Sequence, residues 1–181
     1  LQSIGNEPFY RCLSLTNLTV DANNSSFKSI NNVLFNKSGT ELHQYALGLT
    51  ASSYTAPNNV ETISDGAFSG SSLQSITLPD SVHTIGNYVF QGCRSLTSVT
   101  LPNNLQSIGY FAFADCRSLT SLTLPDPVES IGISTFDGCT SLSSLTLSSS
   151  LKTISNRALY NCPELTSLTV PASVTSIGNS A

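Results

Sequence analysis

The chain has 181 residues, with 7 Lys+Arg against 11 Asp+Glu, a formal net charge of −4, and only 10% of its residues charged. Seven dispersed cations form no basic stripe, which argues against nucleic-acid binding, and no run of about eighteen apolar residues offers a membrane span. Serine and threonine, 32 and 19 residues, give a hydroxyl-rich, β-prone composition.

From the N-terminus, Ile4-Gly5, Phe9, Cys12, Leu15, Leu18 and Val20 begin midway through a unit whose full form appears further along. The first residues carry no basic region followed by an apolar core, so an export signal is expected to have been removed or to lie outside this segment. Across residues 21–57 the period fails. There, Phe27 to Phe35 and Glu41 to Tyr45 read as strands joined by the turn Asn36-Lys37-Ser38-Gly39-Thr40, an inserted β-hairpin.

The register is regular again from Tyr54-Thr55-Ala56-Pro57, which aligns with Ile76-Thr77-Leu78-Pro79. Four cysteines, Cys93, Cys116, Cys139 and Cys162, are each 23 residues apart. Leu73, Leu96, Leu119, Leu142 and Leu165 keep that step, and each opens an apolar-x-x-apolar-x-apolar segment such as Leu73-Ile76-Leu78. Val82, Leu105, Val128, Leu151 and Val174 follow, each three residues before an isoleucine, and Phe90, Phe113 and Phe136 form an aromatic column that Leu159 continues. Gly86, Gly109, Gly132 and Gly178 suit a tight turn. Proline after the strand, as at Pro79 and Pro102, stops the ladder from extending. A repeat of this length cannot bury its apolar side alone, whereas stacked repeats share one core, so the pattern predicts a solenoid.

The unit from Cys93-Arg94-Ser95-Leu96 through Pro102, Leu105, Ile108-Gly109 and Phe113 to Cys116 resembles the BspA-type (treponemal) leucine-rich repeats. The resemblance covers roughly four fifths of the chain. It implies a right-handed leucine-rich-repeat solenoid, β-rich, with stacked parallel strands and short turns or 3-10 segments. Residues 1–181 read as a single domain of about seven 23-residue coils, roughly 30–40 Å long, with the irregular hairpin insertion at 21–57 and ends that stop mid-coil, as in a fragment of a longer protein. Where an asparagine column is usual in leucine-rich repeats, this chain has Ser81, Asn104, Pro127, Ser150 and Ser173, so turn satisfaction must come from elsewhere. The resemblance further implies an extracellular or cell-surface protein, with some relatives adhering to host extracellular-matrix or blood-clot proteins.

Two sets of residues are candidates for a protein or glycoprotein ligand. The first is the outward face of the sheet, the columns Ser75, Ser98, Ser121, Ser144 and Ser167 beside Thr77, Thr100, Thr123, Thr146 and Thr169. Uniform hydroxyls tile a parallel sheet and keep it wet, which is also what a passive stalk or an ice-binding surface requires. The second set lies on the turns: Tyr88, Tyr110, Phe111, Arg157 and Tyr160, with Arg94 and Arg117 after consecutive cysteines. Aromatic and arginine side chains are the usual anchors of protein interfaces. The cysteine column reads as buried small hydrophobes rather than a zinc site, because equivalent positions set sulfurs in a line and zinc needs convergent ligands. Catalysis has few reagents. His83 occupies a variable outward column, and Glu41 near His43 has no third group in the sequence to complete it. Neither a cofactor nor a metal is expected.

If Thr100, Thr123 and Thr146 face solvent, replacing all three with a bulkier charged residue leaves a single cooperative unfolding transition. Loss of that transition on denaturant titration refutes the assignment of faces.

Overall fold

The computed structural model describes residues 2–181 and is a β-solenoid of about six turns, with no helix among the described residues. Two short strands per coil build two parallel sheets. The first sheet contains β4 (Ser53–Thr55), β6 (Ser75–Thr77) and β8 (Ser98–Thr100), with β10 (Ser121–Thr123) and β12 (Ser144–Thr146) paired separately. The second contains β5 (Thr62–Ile63), β7 (Thr84–Ile85) and β9 (Ser107–Ile108), followed by a separate group of β11 (Ser130–Ile131), β13 (Thr153–Ile154) and β14 (Ser176–Ile177). The repeat sets the register directly. Tyr54 pairs with Ile76 and Ile76 with Val99, while Ile63 pairs with Ile85 and Ile85 with Ile108. The connections are the short turns and bends, one of the two expected forms, and Ser167 to Thr169, expected to be the last rung of the first sheet, lie outside any strand.

Each coil closes along a third side, a turn edge that faces away from both sheets. Backbone N–H groups there reach to the next coil: Phe68 to Val89 (3.0 Å), Phe90 to Ala112 (2.7 Å), Phe113 to Thr135 (2.8 Å) and Phe136 to Ala158 (2.8 Å). Two residues per coil hold the edge in the left-handed region. One column is Gly66, Tyr88, Phe111, Ser134, Arg157 and Ser180, with φ of 52–66°, and the other is Gly70, Gly92, Asp115, Gly138 and Asn161, with φ of 57–76°. The glycines at 86, 109, 132 and 178 belong to neither column. They are needed for another reason: a Cβ at Gly109 would lie 2.6 Å from the Asn87 backbone nitrogen, and one at Gly178 2.5 Å from that of Asn156. Successive coils approach too closely at Gly86, Gly109 and Gly178 for a side chain, whereas Ser64 and Ser155 take the same position in other coils.

The same contact answers the question of turn satisfaction. Asp65 Oδ1 accepts the Asn87 N–H (2.8 Å), Asn87 Oδ1 accepts the Tyr110 N–H (3.1 Å), and Asn156 Oδ1 accepts the Asn179 N–H (2.8 Å). An Asp/Asn column beside the glycines thus does the work expected of an asparagine column elsewhere in the repeat.

The irregular N-terminal region contains the expected hairpin and one strand more. Phe27–Phe35 is not one strand. It is divided into β1 (Phe27–Ile30) and β2 (Val33–Asn36) by Asn31-Asn32, both at positive φ (50° and 63°), the conformation of a tight two-residue hairpin turn. β2 then pairs antiparallel with β3 (Glu41–Tyr45). The far edge of β3 is parallel to β5, with Leu42 opposite Ile63, so a three-stranded meander merges into the second sheet instead of projecting from it. The segment before it keeps the turn-edge backbone, with Glu7 at φ 49° and Arg11 at 59°. It does not enter the main core. Phe9, Leu15 and Val20 pack on a small cluster of Leu18, Phe27, Leu34 and Ala46, and Cys12 is exposed.

The main core is continuous from Val33 to Ala158. Its axis is a stack of fully buried phenylalanines, with ring centroids 5.6 Å (Phe68–Phe90), 5.0 Å (Phe90–Phe113) and 5.5 Å (Phe113–Phe136) apart. Tyr45 and Tyr54 each lie 5.5 Å from Phe68 and cap the stack. The Tyr45 hydroxyl is buried there without a hydrogen-bond partner. Tyr45→Phe removes that unsatisfied group and stabilises the fold by about 1 kcal/mol, whereas Gly109→Ala forces two coils apart and costs about 1–3 kcal/mol. Chemical denaturation of the two variants checks both signs.

Candidate functional site

The structure separates the two candidate surfaces. On the first sheet, Thr77, Ser98, Thr100, Ser121, Thr123, Ser144 and Thr146 are exposed and Ser75 is half-buried, while the residues between them face the core. Ser167 and Thr169 are exposed as well but extend the surface without pairing. No aromatic or charged side chain interrupts these hydroxyl columns, so the face is wet and lacks anchors.

The turn edge is different. Tyr88 stacks on Phe111 (5.4 Å, 17°) and meets Tyr110 edge-on (5.1 Å, 89°). Tyr110 is 43% exposed, and Ile133, whose carbonyl accepts the Phe111 N–H, is 48% exposed. Sequence reasoning missed Ile133. It belongs to the outward column Asp65, Asn87, Tyr110, Ile133, Asn156, and an isoleucine in an otherwise polar column was the available signal. Further along, the Arg157 guanidinium lies 4.3 Å from the Tyr160 ring centroid, and Arg157 Nε is 3.6 Å from Asp137 Oδ2. Asp115 answers Arg117, accepting from Nε (3.1 Å) and Nη2 (2.9 Å), and Arg94 is exposed. Tyr88, Phe111 and Arg157 all occupy the left-handed column in which Gly66 sits without steric cost.

The Tyr88 phenol is raised above its ordinary pKa by desolvation, and the Tyr110 phenol and the Glu7 and Asp65 carboxylates add to that shift. It therefore remains neutral through the physiological range, a flat aromatic donor beside acidic neighbours.

The fold supplies the third group that Glu41 and His43 lacked in the sequence. Ser64 donates to Glu41 Oε1 (2.7 Å) and lies 3.1 Å from His43 Nδ1, at the side of a cleft of about 240 Å³ that Asp65 and Asn6 also line. The order is wrong for nucleophilic catalysis, which needs the imidazole between hydroxyl and carboxylate. Here the serine lies between them and its single proton goes to Glu41, so the imidazole is not the group that receives it. Burial holds the His43 imidazole below its ordinary pKa, against the opposing pull of Glu41, and its ring packs edge-on against Phe27 (5.4 Å). The cluster clamps β3 to β5. His83, in its outward column, contacts the Ser81 carbonyl through Nδ1 (3.1 Å).

The cysteines form a hydrogen-bonded column. Each thiol donates to the phenylalanine carbonyl of the preceding coil: Cys93 to Phe68, Cys116 to Phe90 and Cys139 to Phe113, all at 3.1 Å, and Cys162 to Phe136 at 3.2 Å. Ser71 takes the same position in the short coil, with its hydroxyl 3.4 Å from Cys93 Sγ. Burial pushes the Cys93 and Cys162 thiols up to about 11 and raises those of Cys116 and Cys139 strongly. They remain protonated donors, unsuited to a metal or a nucleophilic role, and no group of three metal-ligating side chains occurs among the described residues. Because the folded-state pKa values exceed those of the unfolded chain, this contribution to stability is complete below about pH 8.5 and is lost as pH rises toward the folded values. Unfolding free energy is therefore expected to fall between about pH 9 and 11, and less steeply in Cys116→Ser; urea titrations across that range measure it.

The model for the BspA type leucine rich repeat region matches in six copies, over residues 1–75 and 61–181. Among solved structures, a leucine-rich repeat protein from Eubacterium ventriosum is 29% identical with a TM-score of 0.74, covering 98% of this chain and 54% of its own. The pneumococcal vaccine antigen PcpA is 27% identical at a TM-score of 0.79, covering 98% of this chain and 48% of its own. A leucine rich cell surface protein from Faecalibacterium prausnitzii is 27% identical at 0.61, covering 87% and 52%. The chain thus spans about half the length of these structures. Among curated proteins none matches. With the family model covering the whole sequence and the same stacked-coil architecture in its solved relatives, the chain belongs to the BspA-type leucine-rich repeat family.

Proposed function

We propose that this chain is a non-enzymatic protein-binding module of a secreted or cell-surface protein, and that its partner is a host extracellular-matrix or plasma protein or glycoprotein. The observation that carries this reading is the placement of Tyr88, Phe111 and Arg157 at left-handed backbone positions. A bulky residue there costs roughly 1 kcal/mol or more that glycine avoids, and strain of this kind collects at binding sites. Beside them Tyr110, Ile133 and Tyr160 are each more than two-fifths exposed: Tyr88, Tyr110, Phe111 and Ile133 form an aromatic and aliphatic strip, and Arg157 with Tyr160 a second pair on the same edge. Such strips, with an arginine, are typical of interface anchors.

The sheet face contributes wet, uniform hydroxyls at the margin of the site, through residues Thr77 to Thr146. The surface location is supported by the descriptions of two relatives as a vaccine antigen and a cell surface protein. Residues 1–181 act together as one domain in this reading, since the core runs unbroken from the meander to the last coils. The competing reading, a passive stalk, is favoured by the featureless hydroxyl face and fails to explain the strained aromatics.

Binding of the chain to a panel of matrix and plasma proteins, by surface plasmon resonance, tests the proposal. Saturable binding to one member is expected, with Tyr110→Ser and Phe111→Ser together weakening it at least about tenfold and Thr100→Ser and Thr123→Ser leaving it unchanged. No saturable binding to any member transfers the assignment to the stalk.

A further inference from the structure

One step of the solenoid lacks the bonds that every neighbouring step between paired coils makes. In the second sheet, an N–H just beyond each strand reaches the preceding coil: Gly86 to Ile63 (2.9 Å), Gly109 to Ile85 (2.9 Å), Ser155 to Ile131 (3.0 Å) and Gly178 to Ile154 (2.8 Å). The equivalent Gly132 makes no bond to Ile108. Just before the strands, Gln106 donates to His83, Lys152 to Glu129 and Thr175 to Lys152, but Glu129 does not donate to Gln106. In the first sheet Leu78 donates to Thr100 and Leu124 to Thr146, but Leu101 has no bond to Thr123. Accordingly β8 and β10 are unpaired, and so are β9 and β11. Among the described residues, this is the one level at which both sheets lapse together. Between the coils of β12 and β14 only the first sheet is interrupted.

The turn edge at that level is intact. Phe111 donates to Ile133 (2.9 Å), Phe113 to Thr135 (2.8 Å) and Asp115 to Asp137 (2.7 Å). The phenylalanine stack and the apolar core also continue across it. The coils are correspondingly further apart on the open side. A Cβ at Gly132 would clear the preceding backbone by 3.2 Å, against 2.6 Å at Gly109. On the first sheet the gap is a cleft of about 390 Å³ lined by Ser98 to Leu101 and Ser121 to Thr123, with Asn103 and Pro125 at its end.

The sequence explains the lapse at one place. Three coils send a side-chain donor from this column back to the preceding coil, Ser81 to the Asn58 carbonyl (2.8 Å), Asn104 to Asp80 (3.2 Å) and Ser173 to Ser149 (2.8 Å), and in the coil of Ser150 the neighbouring Ser148 donates to Asp126 (2.9 Å) instead, whereas this coil has Pro127, which lacks both a side-chain and a backbone donor.

We propose that the solenoid is two rigid arms joined by a hinge at this step, with the turn edge as the axis and both sheets free to part. One arm comprises the meander and the coils through β9, and the other the coils from β10 onward. Opening the hinge widens the cleft beside Val99 and alters the curvature of the hydroxyl face. The aromatic strip of Tyr88, Tyr110, Phe111 and Ile133 crosses the step on its axis and moves little. The proposal stands independently of what the strip binds.

Residue-resolved hydrogen exchange on the chain, and on Pro127→Ser, is the first test. The amides of Leu101, Glu129 and Gly132 are expected to exchange at least about tenfold faster than those of Leu78, Gln106 and Gly109. Equal protection of the two sets overturns the hinge. The second readout is the distance distribution between spin labels at Thr55 and Thr146, on a Cys12→Ser, Cys162→Ser background. It is expected to be broad and to narrow in Pro127→Ser. A distribution equally narrow in both proteins overturns the motion, and a broad one that Pro127→Ser leaves unchanged overturns Pro127 as its cause.

Discussion

Everything in this fold depends on how closely one coil can approach the next. A 23-residue coil has an apolar interior and no opposite wall, so its neighbours must supply the missing contacts. The approach is closest where Gly86, Gly109 and Gly178 face the backbone of the preceding turn, at separations no Cβ could occupy. The Asp/Asn side chains beside those glycines then bridge to the next N–H, and the thiols bridge to the phenylalanine carbonyls. Packing and hydrogen bonding are thus satisfied by the same short axial spacing. Where a bridging donor is replaced, at Pro127, the spacing relaxes although the hydrophobic interior does not change.

The three sides of each coil divide the tasks. The two sheets supply repetition, and their outward hydroxyls keep an apolar solenoid solvated without the charge that this composition lacks. The turn edge carries the longest unbroken series of coil-to-coil bonds, and it also holds varied side chains, Gly66, Tyr88, Phe111, Ser134 and Arg157 sharing one left-handed column. Conformational strain is affordable there because several neighbouring hydrogen bonds fix the backbone in place. Rigidity and variability therefore coincide on one surface, which is what a recognition surface requires.

Much of this was legible in the sequence because a period of 23 leaves little freedom: the apolar columns, the phenylalanine axis and the hydroxyl face all follow from aligning residues one repeat apart. The residues that interrupt the period were harder to read. Asn31-Asn32 carried a turn signal, yet the strand reading of Phe27 to Phe35 ran through it, and β3 joins the second sheet through a pairing with β5 that local sequence does not specify. The glycine column was visible but its reason was not, since crowding between coils is a tertiary property and positive φ is a local one. The turn-edge aromatics could be named individually, whereas their common backbone strain and the addition of Ile133 emerge only when coils are stacked. Pro127 illustrates the same limit: a missing donor matters only once the carbonyl it would have met is known.

The thiol column has a chemical consequence. Three of the five cysteines are enclosed in the core and held as hydrogen-bond donors, and a fourth is half-buried at the end of the same column. Thiols kept protonated in this way react slowly with oxidants and disulfides. Cys12 stands apart, exposed near the N-terminal end and away from that column. In an oxidising medium the folded chain therefore offers Cys12 as its most accessible sulfur. Its simplest oxidation product is a covalent pair of solenoids joined through their N-terminal regions, with the interior of each left unscrambled.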